Sequence, residues 1–202
     1  MTVRIAILVE GATEAAFKKA LIAWLQPRLP GKMPKLDFLP EHGRIPKGEK
    51  LQRKVRLLLK TNDAVIALTD VYTGTNPPDF KDAADARAKM TEWVGPEPRF
   101  HPHAAQHEFE AWLLPYWPQV QAVAKSKNAG PAQEPESVNH GKPPSRHIAD
   151  IFRTSPNGRR YSKTRDGMAI LAGQDLQTAA VRCPELMRFL TTILMLSGGE
   201  TG

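Results

Sequence analysis

Hydrophobic positions follow two alternating patterns along the first two thirds of the chain. Residues 3–9, VRIAILV, are rich in β-branched residues and almost continuously apolar, which predicts a strand covered on both faces. The run at 64–70, AVIALTD, repeats this pattern, and shorter apolar stretches at 36–40 and 99–106 predict two further strands. Segments with helical spacing separate these runs. This rhythm predicts an α/β fold with a parallel sheet of about four strands flanked by helices.

Helical periodicity marks the segments between the predicted strands. Apolar residues recur at helical spacing in residues 13–26 and in about 48–60, and a polar, Ala-rich helix is predicted near 79–93. The sequence HEFEAWLL at 107–114 predicts the start of a further helix after the fourth strand. We expect its large apolar residues in the core, namely Phe109, Trp112 and Leu113.

The last third of the chain is predicted to be helical after a break. Residues 125–145 are rich in Pro, Gly, Asn and Ser and lack an apolar period, which indicates an exposed linker or mobile loop. In the final helix, apolar residues occupy most of the circumference, which favours burial. We therefore divide the chain into an α/β domain (1–124), a loop or linker (125–144) and a mainly helical C-terminal extension (145–202) that packs on the same core.

Carboxylates stand at the ends of two predicted strands. Glu10 directly follows the first aliphatic run, and Asp70 ends the third. Ligands of open parallel sheets bind at the carboxyl ends of the strands, and oxygen-only ligands favour Mg²⁺ or Mn²⁺. Gly11 suits a tight turn or a close approach to a ligand. A purely structural role for Glu10, as an acid at a helix N-terminus, stays open. Acids suit that position, and Glu14 in the first helical turn is a further example.

A third acidic element, QHEFEAW, follows the fourth predicted strand. Glu108 and Glu110 share a face only on a strand, because helical positions two apart diverge by about 200°. If the helix begins near His107, Glu108 points at the site while Glu110 lies in the first turn. For His107 itself, a hydrogen-bonded packing role is favoured over a catalytic base. His101 and His103 are predicted strand residues, since no carboxylate or thiol accompanies them at metal-site spacing.

Composition narrows the classes of function. The chain of 202 residues carries a net charge of +7, which suggests a polyanionic partner such as nucleic acid. The single cysteine, Cys183, excludes an internal disulfide framework and zinc sites built on several thiolates, and we predict a packed thiol. No apolar run approaches the roughly 20 residues of a membrane-spanning helix, and the start lacks the features of a signal peptide. We therefore expect a cytoplasmic protein without membrane contact.

Basic residues concentrate in two places. Arg53 is a candidate nucleic-acid contact on the helix predicted at about 48–60, although such charge runs are typical of a solvated face. The segment 153–165 has no acid and includes Tyr161, which can stack on an unpaired base. Its predicted phosphate contacts are Arg153, Arg159, Arg160, Lys163 and Arg165. A flexible basic loop without a ligand is an equally good interpretation, because the sequence SPNG predicts an ordinary turn.

Several motifs together resemble a small bacterial family of TOPRIM-like proteins. They are VEGATE after the first strand, LTDVY after the third, QHEFEAWL at a helix start, and the later PSRHI and YSKTRDG. TOPRIM domains occur in topoisomerases, primases, recombination proteins and the overcoming-lysogenization-defect nucleases. They are compact α/β folds that hold Mg²⁺ with a glutamate after the first strand and an Asp-x-Asp after a later one. The resemblance implies that Glu10 matches that glutamate and Asp70 the first aspartate.

The sequence departs from the TOPRIM pattern at one position. Tyr72 stands where Asp-x-Asp requires its second aspartate, and a phenol is protonated at neutral pH and binds Mg²⁺ poorly. Glu108, Glu110 or Asp79 has to supply the missing oxygen, or the site binds metal weakly or not at all.

Three functions from different classes follow. The first is a metal-dependent nuclease acting on DNA or RNA in bacterial defence with an ATPase partner, as the resemblance implies. In it Glu10, Asp70 and Glu108 are catalytic, and Glu110 joins them as a metal ligand. The second is a nucleic-acid-binding or regulatory subunit with a degenerate site, which Tyr72 favours. The third is a protein-interaction module that docks on an ATPase through its C-terminal helices.

Overall fold

The strands form one sheet in which every neighbouring pair is parallel. The computed structural model describes residues 2–11, 13–41, 43–72, 75–138, 141–156 and 158–199. The strands are β1 (Arg4–Val9), β2 (Lys35–Pro40), β3 (Ala64–Asp70) and β4 (Phe100–Ala105). Their order across the sheet is β2-β1-β3-β4. The predicted α/β fold with a parallel sheet of four strands is confirmed.

Helices follow the strands and cover both faces of the sheet. The α-helices are α1 (Thr13–Leu25), α2 (Glu49–Leu58), α3 (Ala83–Val94), α4 (Trp117–Ala124), α5 (Pro144–Arg153), α6 (Lys163–Leu171), α7 (Leu176–Ala180) and α8 (Pro184–Leu196). Short 3₁₀ helices span Gln26–Arg28, Phe109–Tyr116 and Pro135–Ser137. The sequence HEFEAWLL thus begins a 3₁₀ helix that contains Pro115, and an α-helix continues from it.

The two faces of the sheet have separate cores because successive strand residues point in opposite directions. Ile5 and Ile7 of β1 pack with α1 and the C-terminal helices, whereas Ala6 and Leu8 pack with α2 and α3. The residues on both faces of β1 are fully buried, which explains why the sequence of this strand is an unbroken apolar run. On the edge strand β4, Pro102 lies opposite Ala67 of β3.

Helix boundaries differ from the predicted ones where caps intervene. The helix predicted near 79–93 begins at Ala83, because the Asp82 side chain accepts a hydrogen bond from the Asp85 amide at 2.8 Å. His101 and His103 lie on β4 as predicted, and Cys183 is the expected buried thiol.

The C-terminal helices pack on the same core as the N-terminal part of the sheet. The ring of Phe189 in α8 lies 6.1 Å from that of Phe17 in α1 and 5.9 Å from that of Trp112. Phe189 is fully buried, which confirms the predicted burial of the last helix. Among the residues described, no helix is long and apolar enough to span a membrane.

The segment predicted as an exposed linker or mobile loop is largely exposed over residues 125–134 and is anchored to the core at its end. Pro135 is buried, and Val138 is only 1% exposed and belongs to the main core. The Glu136 carboxylate accepts a hydrogen bond from Trp112 Nε1 at 3.0 Å and another from the Glu185 amide at 3.1 Å. The sequence did not reveal these anchors because they are single residues in a Pro-rich background and show no periodicity.

Candidate active site at the carboxyl edge of the sheet

Three carboxylates lie at the carboxyl ends of three adjacent strands. Glu10 follows β1, Asp70 is the last residue of β3, and Glu108 comes shortly after the end of β4. Because β3 lies between β1 and β4, these ends share one edge of the sheet. The fold thereby brings Glu10 and Asp70, which are 60 residues apart in the sequence, within hydrogen-bonding distance of each other.

Hydrogen bonds from neighbouring donors hold both strand-end carboxylates. Glu10 Oε1 accepts from the Thr69 hydroxyl and, at 3.2 Å, from the Asp70 amide. Asp70 Oδ1 accepts from the Phe109 amide at 2.9 Å. Burial raises the pKa of Glu10, and these hydrogen bonds together with the charges of Arg44 and Lys163 oppose the rise. The carboxylate of Glu10 is therefore held in position at a cost in desolvation.

Glu108 and Glu110 are buried and engaged by the C-terminal helices. Glu108 is 5% exposed, caps the 3₁₀ helix by position and accepts a hydrogen bond from the Ser145 amide at the start of α5. Glu110 is fully buried and forms an ion pair with Lys163, with Nζ 3.0 Å from Oε1. Burial raises the pKa of Glu110, and the charge of Lys163 opposes the rise.

The ammonium group of Lys163 is the cation closest to this cluster on the α6 side. Burial alone would lower the pKa of Lys163, but the charges of Glu110, Asp70 and Glu108 outweigh it and raise the pKa above its ordinary value. Lys163 is therefore charged at neutral pH. The sequence placed Lys163 among predicted phosphate contacts but gave no sign that it joins the carboxylates.

Asp166 organises the basic segment that precedes α6. It is 1% exposed and accepts two hydrogen bonds from Arg159, at 2.7 and 3.0 Å, two from Arg165, at 3.0 and 3.3 Å, and one from the Ser162 amide at 2.7 Å. Burial would raise the pKa of Asp166, but these hydrogen bonds lower it to about 2. These contacts order the basic segment and fix the position of Ser162, the residue before Lys163.

The remaining predicted nucleic-acid contacts lie on the surface, and two of them pair with neighbouring carboxylates. Arg153 pairs with Asp150 at 3.1 Å, Arg53 pairs with Glu49 at 2.6 Å, and Arg160 is exposed. Their role in binding stays a prediction.

Tyr161 is half-buried and packs against the core, and its stacking on a base stays a prediction. Its ring lies 5.4 Å from that of Phe152, and its hydroxyl oxygen is buried. The Arg159 guanidinium also lies 4.4 Å from the centroid of the Phe152 ring.

Other residues predicted near the site have definite positions. Gly11 directly follows Glu10, while the side chain of Glu14 lies outside the described part of the chain. Tyr72 is 38% exposed, and its amide donates to the carbonyl of the half-buried His107 at 2.6 Å. Asp79, one of the predicted substitutes for the missing aspartate, instead pairs with two cations of the loop after β2.

Metal-binding capacity rests on the strand-end pair. Over the described ranges, no group of three or more His, Cys, Asp or Glu side chains is placed to hold a metal ion. Glu10 and Asp70 remain neighbours with oxygen donors, and Mg²⁺ in proteins often takes only one or two carboxylates, with waters and substrate phosphates completing its octahedron. The donor set therefore fits Mg²⁺ or Mn²⁺ through these two residues. The assignment of Glu108 and Glu110 as further ligands stays a prediction.

Sequence reasoning missed Arg44 and considered Lys47 only as part of the basic run at the helix predicted over about 48–60. Both lie in the loop that leaves the carboxyl end of β2, at the same edge of the sheet as Glu10. Their position in the segment that follows a predicted strand could have indicated that they lie near the site. Position at a strand end is the criterion that identified Glu10 and Asp70.

Comparisons with known proteins agree with this architecture. A family profile described as "Domain of unknown function (DUF4276)" matches residues 9–194. Among solved structures, the C-terminal region of the Burkholderia pseudomallei OLD protein superimposes with a TM-score of 0.51 at 14% sequence identity, covering 96% of this chain and 98% of that one. No curated protein sequence matches the chain. At this identity, the structural likeness concerns the fold alone.

Proposed function

This chain belongs to the DUF4276 family, and we propose that it is a metal-dependent nuclease that cleaves phosphodiester bonds of nucleic acid. The observation that carries the proposal is that Glu10 and Asp70 are neighbours at the carboxyl edge, where the Asp70 amide donates to Glu10 Oε1, with the charged Lys163 beside them. A paired carboxylate site with an adjacent cation suits a phosphoryl group, whose charge needs both a metal and a positive side chain.

In the proposed site Glu10 and Asp70 hold Mg²⁺ or Mn²⁺, which would polarise a phosphoryl oxygen and lower the pKa of a bound water. The side chains of the protein supply the rest. Lys163 attracts and orients the phosphate by its charge, and Glu110 holds that ammonium in place at 3.0 Å. The Phe109 amide fixes the rotamer of Asp70. Glu10 serves as a ligand or as the general base, a role that requires hydrogen-bond reach to the attacking water.

We further propose that the protein acts in the cytoplasm, in bacterial defence, together with an ATPase partner. This part rests on the resemblance of VEGATE, LTDVY and QHEFEAWL to TOPRIM-like proteins and on the fold shared with the OLD C-terminal region. Fold likeness raises the expectation of nuclease chemistry without establishing it.

A second candidate function is nucleic-acid binding without cleavage. Two observations favour it: Tyr72 replaces the second aspartate of the TOPRIM pattern, and the described residues hold no cluster of three metal-ligating side chains. Such a subunit would bind a polyanion with steep salt dependence and leave it intact.

Replacing Glu10 by alanine separates these functions. We expect Glu10→Ala to abolish metal-dependent cleavage because it removes one of two strand-end ligands and little core volume. The purified protein is incubated with plasmid, single-stranded DNA and bulk tRNA, each with Mg²⁺, Mn²⁺ or EDTA. Glu49→Ala, which removes a 79% exposed acid on α2, is the matched control and should cleave like the wild type.

Each outcome assigns a function. Cleavage that needs both metal and Glu10 establishes the nuclease and identifies its substrate class. Binding without cleavage supports the second candidate or a requirement for the ATPase. Cleavage by Glu10→Ala at the wild-type rate removes Glu10 from the mechanism.

A further inference from the structure

A second basic surface lies at the same carboxyl edge of the sheet as the carboxylates. We call it the β2 loop, residues 43–48, which connects the edge strand β2 to α2. Its cations are Arg44 and Lys47, whose side chains are each 44% exposed. Because β2 is parallel to β1, this loop leaves the sheet at the same edge as Glu10.

The β2 loop is fixed against the end of β1. The Glu41 amide donates to the Val9 carbonyl and the Gly43 amide donates to the Glu10 carbonyl, both at 2.8 Å. Between the two cations, Ile45 is only 5% exposed and belongs to the core formed with Leu8. A buried anchor flanked by backbone hydrogen bonds holds Arg44 and Lys47 in a defined place beside the site.

Asp79 holds both cations toward the edge. Its Oδ1 lies 2.6 Å from Lys47 Nζ, its Oδ2 lies 3.7 Å from Arg44 Nη1, and the carboxylate is 18% exposed. Arg44 and Lys47 on the β2 loop and Lys163 on α6 thus lie around the same carboxyl edge of the sheet.

We propose that a nucleic-acid strand crosses the carboxyl edge from the β2 loop to α6, with Arg44 and Lys47 binding phosphates on one side of the carboxylates and Lys163 on the other. Successive phosphates of one polynucleotide backbone can contact separate cations, so the proposed ligand is a polynucleotide, with the phosphate over Glu10 and Asp70 flanked by neighbours.

This inference rests on the nucleic-acid part of the proposed function, and it is tested without cleavage. All variants carry Glu10→Ala and are kept in EDTA, so binding is measured whether or not the protein is a nuclease. Fluorescence anisotropy with a fluorescein-labelled single-stranded oligonucleotide gives the dissociation constant over a series of NaCl concentrations. The probe is long enough to span the edge.

Two charge-matched double variants provide the comparison. Arg44→Ala/Lys47→Ala removes the proposed contacts, whereas Arg56→Ala/Lys60→Ala removes the same charge from exposed positions at the far end of α2. Lys60 lies near the start of β1, away from the carboxyl edge. Three residues after it, the Asp63 amide donates to the carbonyl of Arg4, the first residue of β1. We expect the first pair to weaken binding and reduce the slope of log K against log salt by about 1.4, which is about 0.7 per phosphate contact for single strands. The second pair should leave the slope unchanged.

Asp79→Asn distinguishes phosphate binding from support of the loop. It breaks both ion pairs and keeps both cations, so we expect binding at least as tight as in the parent protein. Weakening equal to that of the Arg44/Lys47 pair would assign these residues a structural role and overturn the inference. Equal slopes for the two double variants would overturn it as well, while leaving the nuclease proposal standing. If the parent binds no oligonucleotide, both fall.

Discussion

Glu10 carries a conflict between burial and charge. The residue directly follows β1, in which Ile5–Val9 are fully buried, and its carboxylate is stabilised by the Thr69 hydroxyl and the Asp70 amide. These neutral donors do not compensate for desolvation, so its pKa is raised. A carboxylate in this state gains from any cation that approaches it, which is the property required of a metal ligand.

The sign of this shift predicts how Glu10→Gln behaves. A pKa raised by folding means that the protonated form favours the folded state. The stability it contributes is complete below the ordinary pKa of 4.5 and is lost as pH rises through the folded-state pKa. Glutamine keeps an acceptor for Thr69 and Asp70 without the charge. We therefore expect Glu10→Gln to be more stable than the wild type at neutral pH and equal to it below pH 4.5, measured by urea unfolding.

Glu49→Gln is the control for that experiment, because Glu49 is 79% exposed. Its stability should follow the wild type at both pH values. A Glu10→Gln protein no more stable than the wild type at neutral pH would show that the desolvation of Glu10 is fully compensated in the folded protein.

At the scale of elements, one carboxylate joins the Pro-rich segment to two helices. Glu136 accepts from Trp112 Nε1 in the 3₁₀ helix and from the Glu185 amide in the first turn of α8. Amides at a helix N-terminus lack partners within the helix, and a negative charge there also interacts favourably with the helix dipole. The 3₁₀ helix that begins beside Glu108 is thus connected to the C-terminal helix.

Glu136→Ala should therefore destabilise the protein by about 1–3 kcal/mol, since it leaves the indole N–H and a helix amide without an acceptor. Denaturant unfolding followed by far-UV circular dichroism measures the change. Glu134→Ala, which removes a 70% exposed acid paired with Arg182, should cost less than about 1 kcal/mol. Equal costs for the two variants would contradict an anchoring role.

The local hydrophobic pattern of the sequence predicted the helices and strands, whereas contacts between residues distant in the sequence determine the geometry of the site. Strands and amphipathic helices follow from periodicity, and Glu10 and Asp70 follow from their positions at strand ends. The pair of Lys163 and Glu110 joins residues 53 positions apart, and no local pattern encodes such a contact. The basic segment was misread as free because its acid, Asp166, lies one residue beyond it.

At the scale of the whole molecule, the sheet and the C-terminal helices share one aromatic cluster. Phe17, Trp112 and Phe189 come from the first helix, the middle of the chain and the last helix, and their ring centroids lie within 6.1 Å of one another. We propose that the α/β part and the C-terminal extension fold as one cooperative unit.

Phe189→Ala tests this proposal. Loss of a fully buried ring should cost about 3–5 kcal/mol. Because the cluster spans both parts, tryptophan fluorescence and far-UV circular dichroism should report the same shifted transition. Met195→Ala, at a 63% exposed position of the same helix, should change stability by less than about 0.5 kcal/mol. Two separate transitions in Phe189→Ala would show that the parts fold independently.

Pro102 has a consequence for contacts between molecules. It lies within β4, the outermost strand of the described sheet on that side, and proline has no amide hydrogen to donate to a further strand. A β-segment of another chain therefore cannot extend the sheet there by regular pairing, which protects this edge against aggregation. A binding protein that approaches β4 has to recognise side chains, and main-chain augmentation is excluded as its mode of attachment.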